Sequence, residues 1–502
     1  MLSRSIFAIL SLSLSPFLPS SGSAADNRPN FIVLIADDIG YDDLGCYGSQ
    51  DARTPRIDAL AQEGLRFSNA FLTASSCSPS RASIICGRYP HNNGEAAELH
   101  RPISAHLPSV PGILRDHGYH AALAGKDHMT WAKATEGQPA PTEAFDKVYS
   151  PKIKGNSGGH GNWIRALEEA PKDKPFFLWL AALDAHRVWD GNLEWDEGRF
   201  GPKHNPATIG LPPALIDTPA TRFDFASYMN EVTRFDHYVG RVVDWLKRNG
   251  KYDNTYLVVI SDNGRPFPRA KTRLHDDGMK TYFIVTGPTI SSRGAVSHSL
   301  ISVIDIAPTL CELAGVKQSP TFQGRSLTPV FNNSTASIRP YAFSEHNWHD
   351  YEALGRSVRD GRYLYIVNHR PQFAQQGPAD SVASRSFQDL LEARKGGAFL
   401  SPIHLDLFLT PRPSTELYDT LADPHQVHNL AGDARMVSVE KRLSAALNFW
   451  REETGDSTPA KISSNYFDNE TGKRLPIGPK DYLRPPPGAD RNADWINADG
   501  LK

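Results

Sequence analysis

The sequence predicts an α/β protein: a mainly parallel sheet flanked by helices, followed by a smaller C-terminal α+β domain. Three observations predict this. Short apolar runs rich in β-branched and aromatic residues recur along the first part of the chain, as buried strands do. Apolar stripes at helical spacing lie between them. After about residue 335 the texture changes to long polar loops with sparse strand and helix signals. Strands alternating with helices argue for a sheet covered on both faces.

The elements follow in order. Residues 1–25 carry Arg4, an apolar run from Ile6 to Leu18 and a small-residue exit at Ser23-Ala24-Ala25. That pattern reads as a secretory signal peptide, and the run is too short for a membrane span. Export to a secreted or periplasmic location is therefore expected, or a lysosomal one in an animal source. FIVLIA (Phe31 to Ala36) is the first strand signal. A helix starts after Thr54, with Pro55 in its first turn and Gly64 at its end. HAALA (120–124), FFLWLAAL (176–183), YLVVIS (256–261) and YFIVTG (282–287) are further strands. A stripe from Tyr228 through Val232, Phe235, Val239 and Val242 to Leu246 predicts a helix closed by Asn249-Gly250. The turn-like Asn332-Asn333-Ser334-Thr335 suggests a boundary, giving a catalytic domain over 26–335 and a C-terminal subdomain over 336–502. Within the latter, Tyr363 to Val367 reads as a strand and Val437 to Trp450 as a helix. The tail from Ser457 is rich in Pro, Gly, Asp and Asn and reads as irregular.

Bulk properties exclude some functions. Of 502 residues, 40% are hydrophobic and 22% charged, an ordinary composition for a globular protein. A net charge of -2 provides no global field for nucleic acid or an acidic membrane. Four cysteines (Cys46, Cys77, Cys86 and Cys311) are too few for a disulfide framework, and no CxxC pair suggests zinc.

Ligands in open α/β sheets bind beyond the carboxyl ends of the strands. Asp37-Asp38 follow the first strand, Gly125-Lys126-Asp127-His128 the second, Asp184-Ala185-His186 the third and Ser261-Asp262-Asn263-Gly264 the fourth. Each signal alone is as consistent with a cap or a turn. Together they bring carboxylates, an amide, a lysine and histidines to one edge. Asp37, Asp38, Asp262 and Asn263 are hard oxygen donors. Crowded carboxylates repel one another unless a cation neutralises them, and oxygen ligation suits Ca²⁺ or Mg²⁺. Lys126, His128 and His186 beside such a cation would bind an oxyanion and supply protons.

Cys77 opens the stretch CSPSR. Ser78 reads as a helix cap, Pro79 as the first helical residue and Arg81 as a guanidinium in the first turn. A buried small hydrophobe and a low-pKa thiolate nucleophile are the alternatives for Cys77, though a thiolate pairs poorly with a hard cation.

CSPSR, followed by Gly87-Arg88, resembles the signature of the formylglycine-dependent sulfatases. RPNFIVLIADDIGYDDLGCYG, GKDH, DAH and SDNG resemble that family's metal and lysine–histidine motifs. Lys271 in AKTRLHDDG falls where the family has a lysine. ELYD (416–419), Asp423-Pro424 and Asn429-Leu430 are similar to its C-terminal stretch. SSCSPSRAS, SDNGRPFPRAKT and SFQDLL (386–391) are most similar to the heparan N-sulfatase (sulfamidase) branch. Ala185, Met129 and the stretch 275–281 depart from the family pattern.

The resemblance implies an alkaline-phosphatase-like fold and a sulfatase acting on a sulfated saccharide, N-sulfoglucosamine foremost. A maturation enzyme would convert Cys77 to formylglycine. Asp37, Asp38, Asp262 and Asn263, with modified Cys77, would hold one Ca²⁺. Arg81 would anchor residue 77, Lys126 and Lys271 would hold sulfate oxygens, His186 would protonate the leaving group, and His128 would help restore the aldehyde. His100 and His346 are candidates for sugar contacts. An O-sulfatase on a sugar or aryl ester, a phosphatase relative and a glycan-binding protein with unconverted Cys77 are the competing readings.

Overall fold

The computed structural model describes residues 27–131, 133, 144–189, 195–458 and 463–476. The signal-peptide residues and most of the tail beyond Ser457 lie outside them. Eight strands form the main sheet: β1 (Asn30–Ala36), β2 (Leu65–Phe71), β3 (His120–Gly125), β4 (Lys147–Tyr149), β5 (Phe176–Ala181), β6 (Thr255–Ser261), β7 (Lys280–Thr286) and β8 (Val296–Ser302). Their spatial order is β4-β3-β5-β1-β6-β7-β2-β8. The five strand signals of the sequence are β1, β3, β5, β6 and β7. All neighbouring pairs are parallel except those of β7, which runs antiparallel to β6 and β2. A direct connection through the site-bearing segment 262–279 brings the chain back in the opposite sense, without a crossover helix.

The period-two alternation of β1 shows why the sheet is buried on both sides. Phe31, Val33 and Ile35 join one core, with Ile84 and Ile85 of the helix α2 (Cys77–Cys86) and Leu310 of the helix Ile306–Leu313. Ile32, Leu34 and Ala36 join the other, with Ile57 and Leu60 of α1 (Pro55–Glu63) and Phe235 and Val239 of the helix Pro219–Arg248. That long helix begins nine residues before the apolar stripe. Thr218 caps it by accepting a hydrogen bond from the Thr221 amide, and Asn249 closes it.

A second sheet is antiparallel, in the order β12-β11-β10-β9: β9 (Ala342–Trp348), β10 (Glu352–Arg359), β11 (Tyr363–Asn368) and β12 (Thr415–Asp419). The predicted C-terminal helix spans Val437–Glu453 and packs Leu443, Leu447 and Trp450 against this sheet. Ser344 Oγ donates to the Leu72 carbonyl and the Glu345 amide to the Thr73 carbonyl. The second sheet thus hangs on the segment that leads from β2 into α2. No described helix is long and apolar enough to cross a membrane.

Candidate active site

β3, β5, β1 and β6 are neighbours and parallel, so their carboxyl ends share one edge. The residues that follow them therefore meet. Lys126 Nζ donates to Asp37 Oδ2. Asn263 Nδ2 donates to Asp38 Oδ1 at 2.7 Å and Asp262 Oδ1 at 2.8 Å. The Asp38 amide, at φ 64°, donates to Asp262 Oδ1. Gly264 allows the turn after β6, because a Cβ there would lie 1.9 Å from the Asp277 carbonyl oxygen.

α2 reaches this edge through the segment that follows β2. Its first residue is Cys77, its N-cap is Ser76, and Gly87 in the left-handed region closes it. Ser78 does not cap the helix. It sits one residue inside, and its Oγ accepts the His100 amide at 2.8 Å. Every residue of α2 is buried. Cys77 Sγ lies 3.7 Å from Asp37 Oδ1, 4.0 Å from Asp38 Oδ1 and 3.3 Å from Asn263 Nδ2. One turn on, Arg81 Nε donates to Asp262 Oδ2 at 2.7 Å, and Nη2 lies 3.9 Å from Asp37 Oδ1.

Lys271 enters from the segment after β6. Its Nζ donates to Asp38 Oδ2 at 2.7 Å and Asp380 Oδ2 at 3.0 Å. His186 Nδ1 contacts the Arg187 carbonyl, and its Nε2 lies 3.7 Å from Asp380 Oδ2. His100 Nδ1 and His128 Nε2 are 2.6 Å apart. A cavity of about 360 Å³ opens beside Asp37, Lys126, His186 and Arg187. His346 is buried on β9 with its ring against Tyr351, and among the described residues no contact ties it to Cys77. His349 reaches the helix start instead, with Nδ1 2.7 Å from Ser76 Oγ.

Burial and charge set the electrostatics. Burial raises Asp37, but Lys126, His186, Arg81 and Lys271 outweigh it and hold that carboxyl well below its usual range. Burial pushes Asp262 up to about 6 against Arg81, and raises Asp38 against Lys271. Burial pushes the Cys77 thiol up to about 12, so a low-pKa thiolate nucleophile is disfavoured. Burial, then Lys126 and His100, push His128 down to about 2.

The donor set fits a hard divalent cation. Asp37, Cys77 and Asp262 can each offer one ligand atom within 4.8 Å of the others. Asn263 Oδ1 is buried without a hydrogen-bond partner beside three carboxylates. A cation would satisfy that orphaned acceptor and draw Asp38 and Asp262 into their anionic forms. Arg81, Lys126 and Lys271 face four carboxylates, Asp380 among them, one negative charge in excess. A bound divalent ion would therefore leave the cluster positive and suited to an oxyanion.

Asp380 is the residue that sequence reasoning missed. It lies in the dipeptide Ala379-Asp380 far from any strand-end motif, and nothing in its neighbours marks it. Cys46, Cys86 and Cys311 are free, and Cys86 and Cys311 belong to the core shared with α2.

Comparisons with known proteins agree with this geometry. Residues 29–316 match the Sulfatase family model, and residues 269–371 match the one described as N-sulphoglucosamine sulphohydrolase, C-terminal. The chain is 31% identical to human N-sulphoglucosamine sulphohydrolase, covering 86% of this chain and 91% of that one. It is 26% identical to an ulvan-active sulfatase of Formosa agariphila, covering 86% and 76%. Among solved structures, one in complex with D-glucosamine-2-N,6-O-disulfate aligns with a TM-score of 0.64 at 20% identity, over 86% of this chain and 99% of that one. The fold is thus that of the sulfatases, and the chain belongs to the sulfatase family of hydrolases.

Proposed function

We propose that this enzyme removes the sulfate of N-sulfoglucosamine in a sulfated glycan, using one Ca²⁺ and a formylglycine made from Cys77. One observation carries the reading. Four oxygen-donor residues and the lysines 126 and 271 converge on a cysteine that opens a helix, in a chain 31% identical to a sulfamidase. Asp37, Asp38, Asp262 and Asn263 would hold the ion. When bound, it lowers the cost of deprotonating the hydrated aldehyde of residue 77, the nucleophile, and polarises a sulfate oxygen.

The remaining work falls to the chain's own side chains. Lys126 and Lys271 hold the other sulfate oxygens and neutralise charge gathering there. Arg81 fixes Asp262 and thereby the floor of the site. With Nδ1–H donated to the Arg187 carbonyl, the imidazolium form of His186 carries its second proton on Nε2, the nitrogen that would give it to the leaving atom. His100 and His128 share a hydrogen bond, and the His100 amide donates to Ser78 Oγ next to residue 77; His128 would take the proton that residue 77 loses as the aldehyde reforms.

The N-terminal 25 residues act as an export signal, and a formylglycine-generating enzyme of the host is the maturation partner. The test has two parts. Peptide mass spectrometry over residues 77–81 should show a loss of about 18 Da relative to cysteine. Sulfate release should be faster from N-sulfated than from 6-O-sulfated glucosamine. The opposite preference establishes the O-sulfatase reading, and an intact thiol in active protein overturns the mechanism.

A further inference from the structure

The exposures of the side chains around Cys77 give the site a floor and a mouth. Cys77 is 2% exposed, and the side chains of Asp37, Asp38 and Lys271 are at most 1% exposed. His186 and Asp380 are 33% and 20% exposed. In-line displacement at sulfur places the leaving atom opposite the nucleophile. With the nucleophile at residue 77 on the floor, the leaving atom sits at the mouth, beside His186 Nε2 and Asp380 Oδ2.

Asp380 is built to present one oxygen there. Its Oδ1 accepts the Ser381 amide at 2.7 Å, which fixes the carboxylate in the first turn of the helix Ala379–Val382. The contacts with Lys271 Nζ and His186 Nε2 both fall on Oδ2. A carboxylate at this point disfavours a leaving oxygen that develops negative charge. It favours a leaving nitrogen, which ends as an ammonium ion.

We propose that Asp380 is a specificity-determining residue that selects nitrogen over oxygen as the leaving atom; this rests on the sulfamidase reading. The S–N bond breaks as the nucleophilic oxygen of residue 77 bonds to sulfur. The attacking hydroxyl of residue 77 gives up its proton to solvent, nitrogen keeps the S–N electron pair and takes one proton from His186 Nε2, and it leaves as an amine. The amine takes a second proton from solvent, and the ammonium pairs with Asp380 Oδ2. The two protons gained by nitrogen match the two lost by the hydrated aldehyde, one on attack and one as the aldehyde reforms, and water then rehydrates it.

The experiment measures kcat/KM of the full, formylglycine-bearing enzyme for N-sulfoglucosamine and for an aryl sulfate ester, whose phenolic leaving group needs no proton. Losing a charged hydrogen-bond acceptor should lower the ratio of sulfamate to ester turnover about 10-fold or more in Asp380→Asn. Asp380→Glu, which keeps the charge, should hold the ratio nearer to wild type. An unchanged ratio in Asp380→Asn, with both activities kept or both lost alike, overturns the proposal and leaves Asp380 only as a support for Lys271. A wild-type enzyme that hydrolyses the ester but never the sulfamate overturns the sulfamidase reading itself, and the proposal with it. That failure is distinct, because it is seen before any substitution is made.

Discussion

Asn263 Nδ2 lies 3.3 Å from Cys77 Sγ, although 186 residues separate the two. The contact joins the end of β6 to the start of α2, the helix that follows β2, and β2 and β6 are separated in the sheet by β7. It makes position 77 the meeting point of the sheet edge and the helix.

Cys77→Ala should abolish sulfate release while the protein keeps its fold. The side chain is buried, but the change removes only a sulfur atom from a polar floor, so the cost in stability should be about 1 kcal/mol. Sulfate-release assays and circular dichroism melting check this. Residual turnover within about 100-fold of wild type would contradict a nucleophile at this position.

Arg81→Met should destabilise the fold. The guanidinium is fully buried against Asp262, and removing one partner of a buried pair costs about 3–5 kcal/mol. Urea unfolding in the presence of chelator measures it, since there no metal takes the place of the lost charge. A change within about 0.5 kcal/mol, typical of a surface position, would contradict the structure.

Lys271→Ala should lower kcat/KM about 100-fold, the loss of about 3 kcal/mol typical of a cationic transition-state contact. Lys271→Arg should restore part of it. Steady-state kinetics on the sulfamate tests this, and an unchanged kcat/KM would remove Lys271 from the sulfate-holding set.

Acid should destabilise the protein through the buried cluster at Asp184, just after β5. Asp184 receives both Arg234 Nε and Nη2, at 2.8 Å and 2.7 Å, and lies 3.3 Å from His160 Nε2. Burial raises Asp184, but Arg234 and His160 outweigh it and bring the carboxyl down to about 2 from 3.8. Burial brings His160 down to about 4 from 6.5, against Asp184. Both groups bind fewer protons when folded. The stability from His160 is present above pH 6.5 and is lost as pH falls toward 4. That from Asp184 is present above pH 3.8 and is lost toward pH 2. Each contributes on the order of 2 kcal/mol. Urea unfolding of wild type and His160→Gln across pH 7 to 4 should show a shallower fall in the variant. Parallel curves would contradict the assignment.

Much of this site was legible because its residues follow strands. FIVLIA, HAALA, FFLWLAAL and YLVVIS carry their own signal as apolar runs, and the polar residues after them had to share an edge once the sheet was parallel. Lys271 was placed by resemblance to a family motif rather than by periodicity. β2 and β8 were not read. LRFSNAF and VSHSLIS mix polar residues into half-buried strands near the sheet edge, where the apolar signal thins. YFIVTG was read as a strand, but the antiparallel direction of β7 was hidden, because strand direction depends on the path of the connecting segment. Asp380 was invisible for a further reason. It reaches Lys271 and His186 through tertiary packing of a short helix that no local pattern announces. Ser78 met the composition of a cap, yet the cap is Ser76 and the helix starts two residues earlier than expected, and the His100 amide donates to the Ser78 hydroxyl.

The central claim is that the oxygens of Asp37, Asp38, Asp262 and Asn263 grip a single hard cation beside residue 77. Elemental analysis of purified, dialysed protein tests it most directly. Wild type should carry one calcium per chain, and an Asn263→Ala variant, which removes a ligand oxygen without breaking a buried ion pair, should carry much less while remaining folded. Fully active wild-type protein with no bound divalent metal, or a variant that retains the full equivalent of ion, would contradict it.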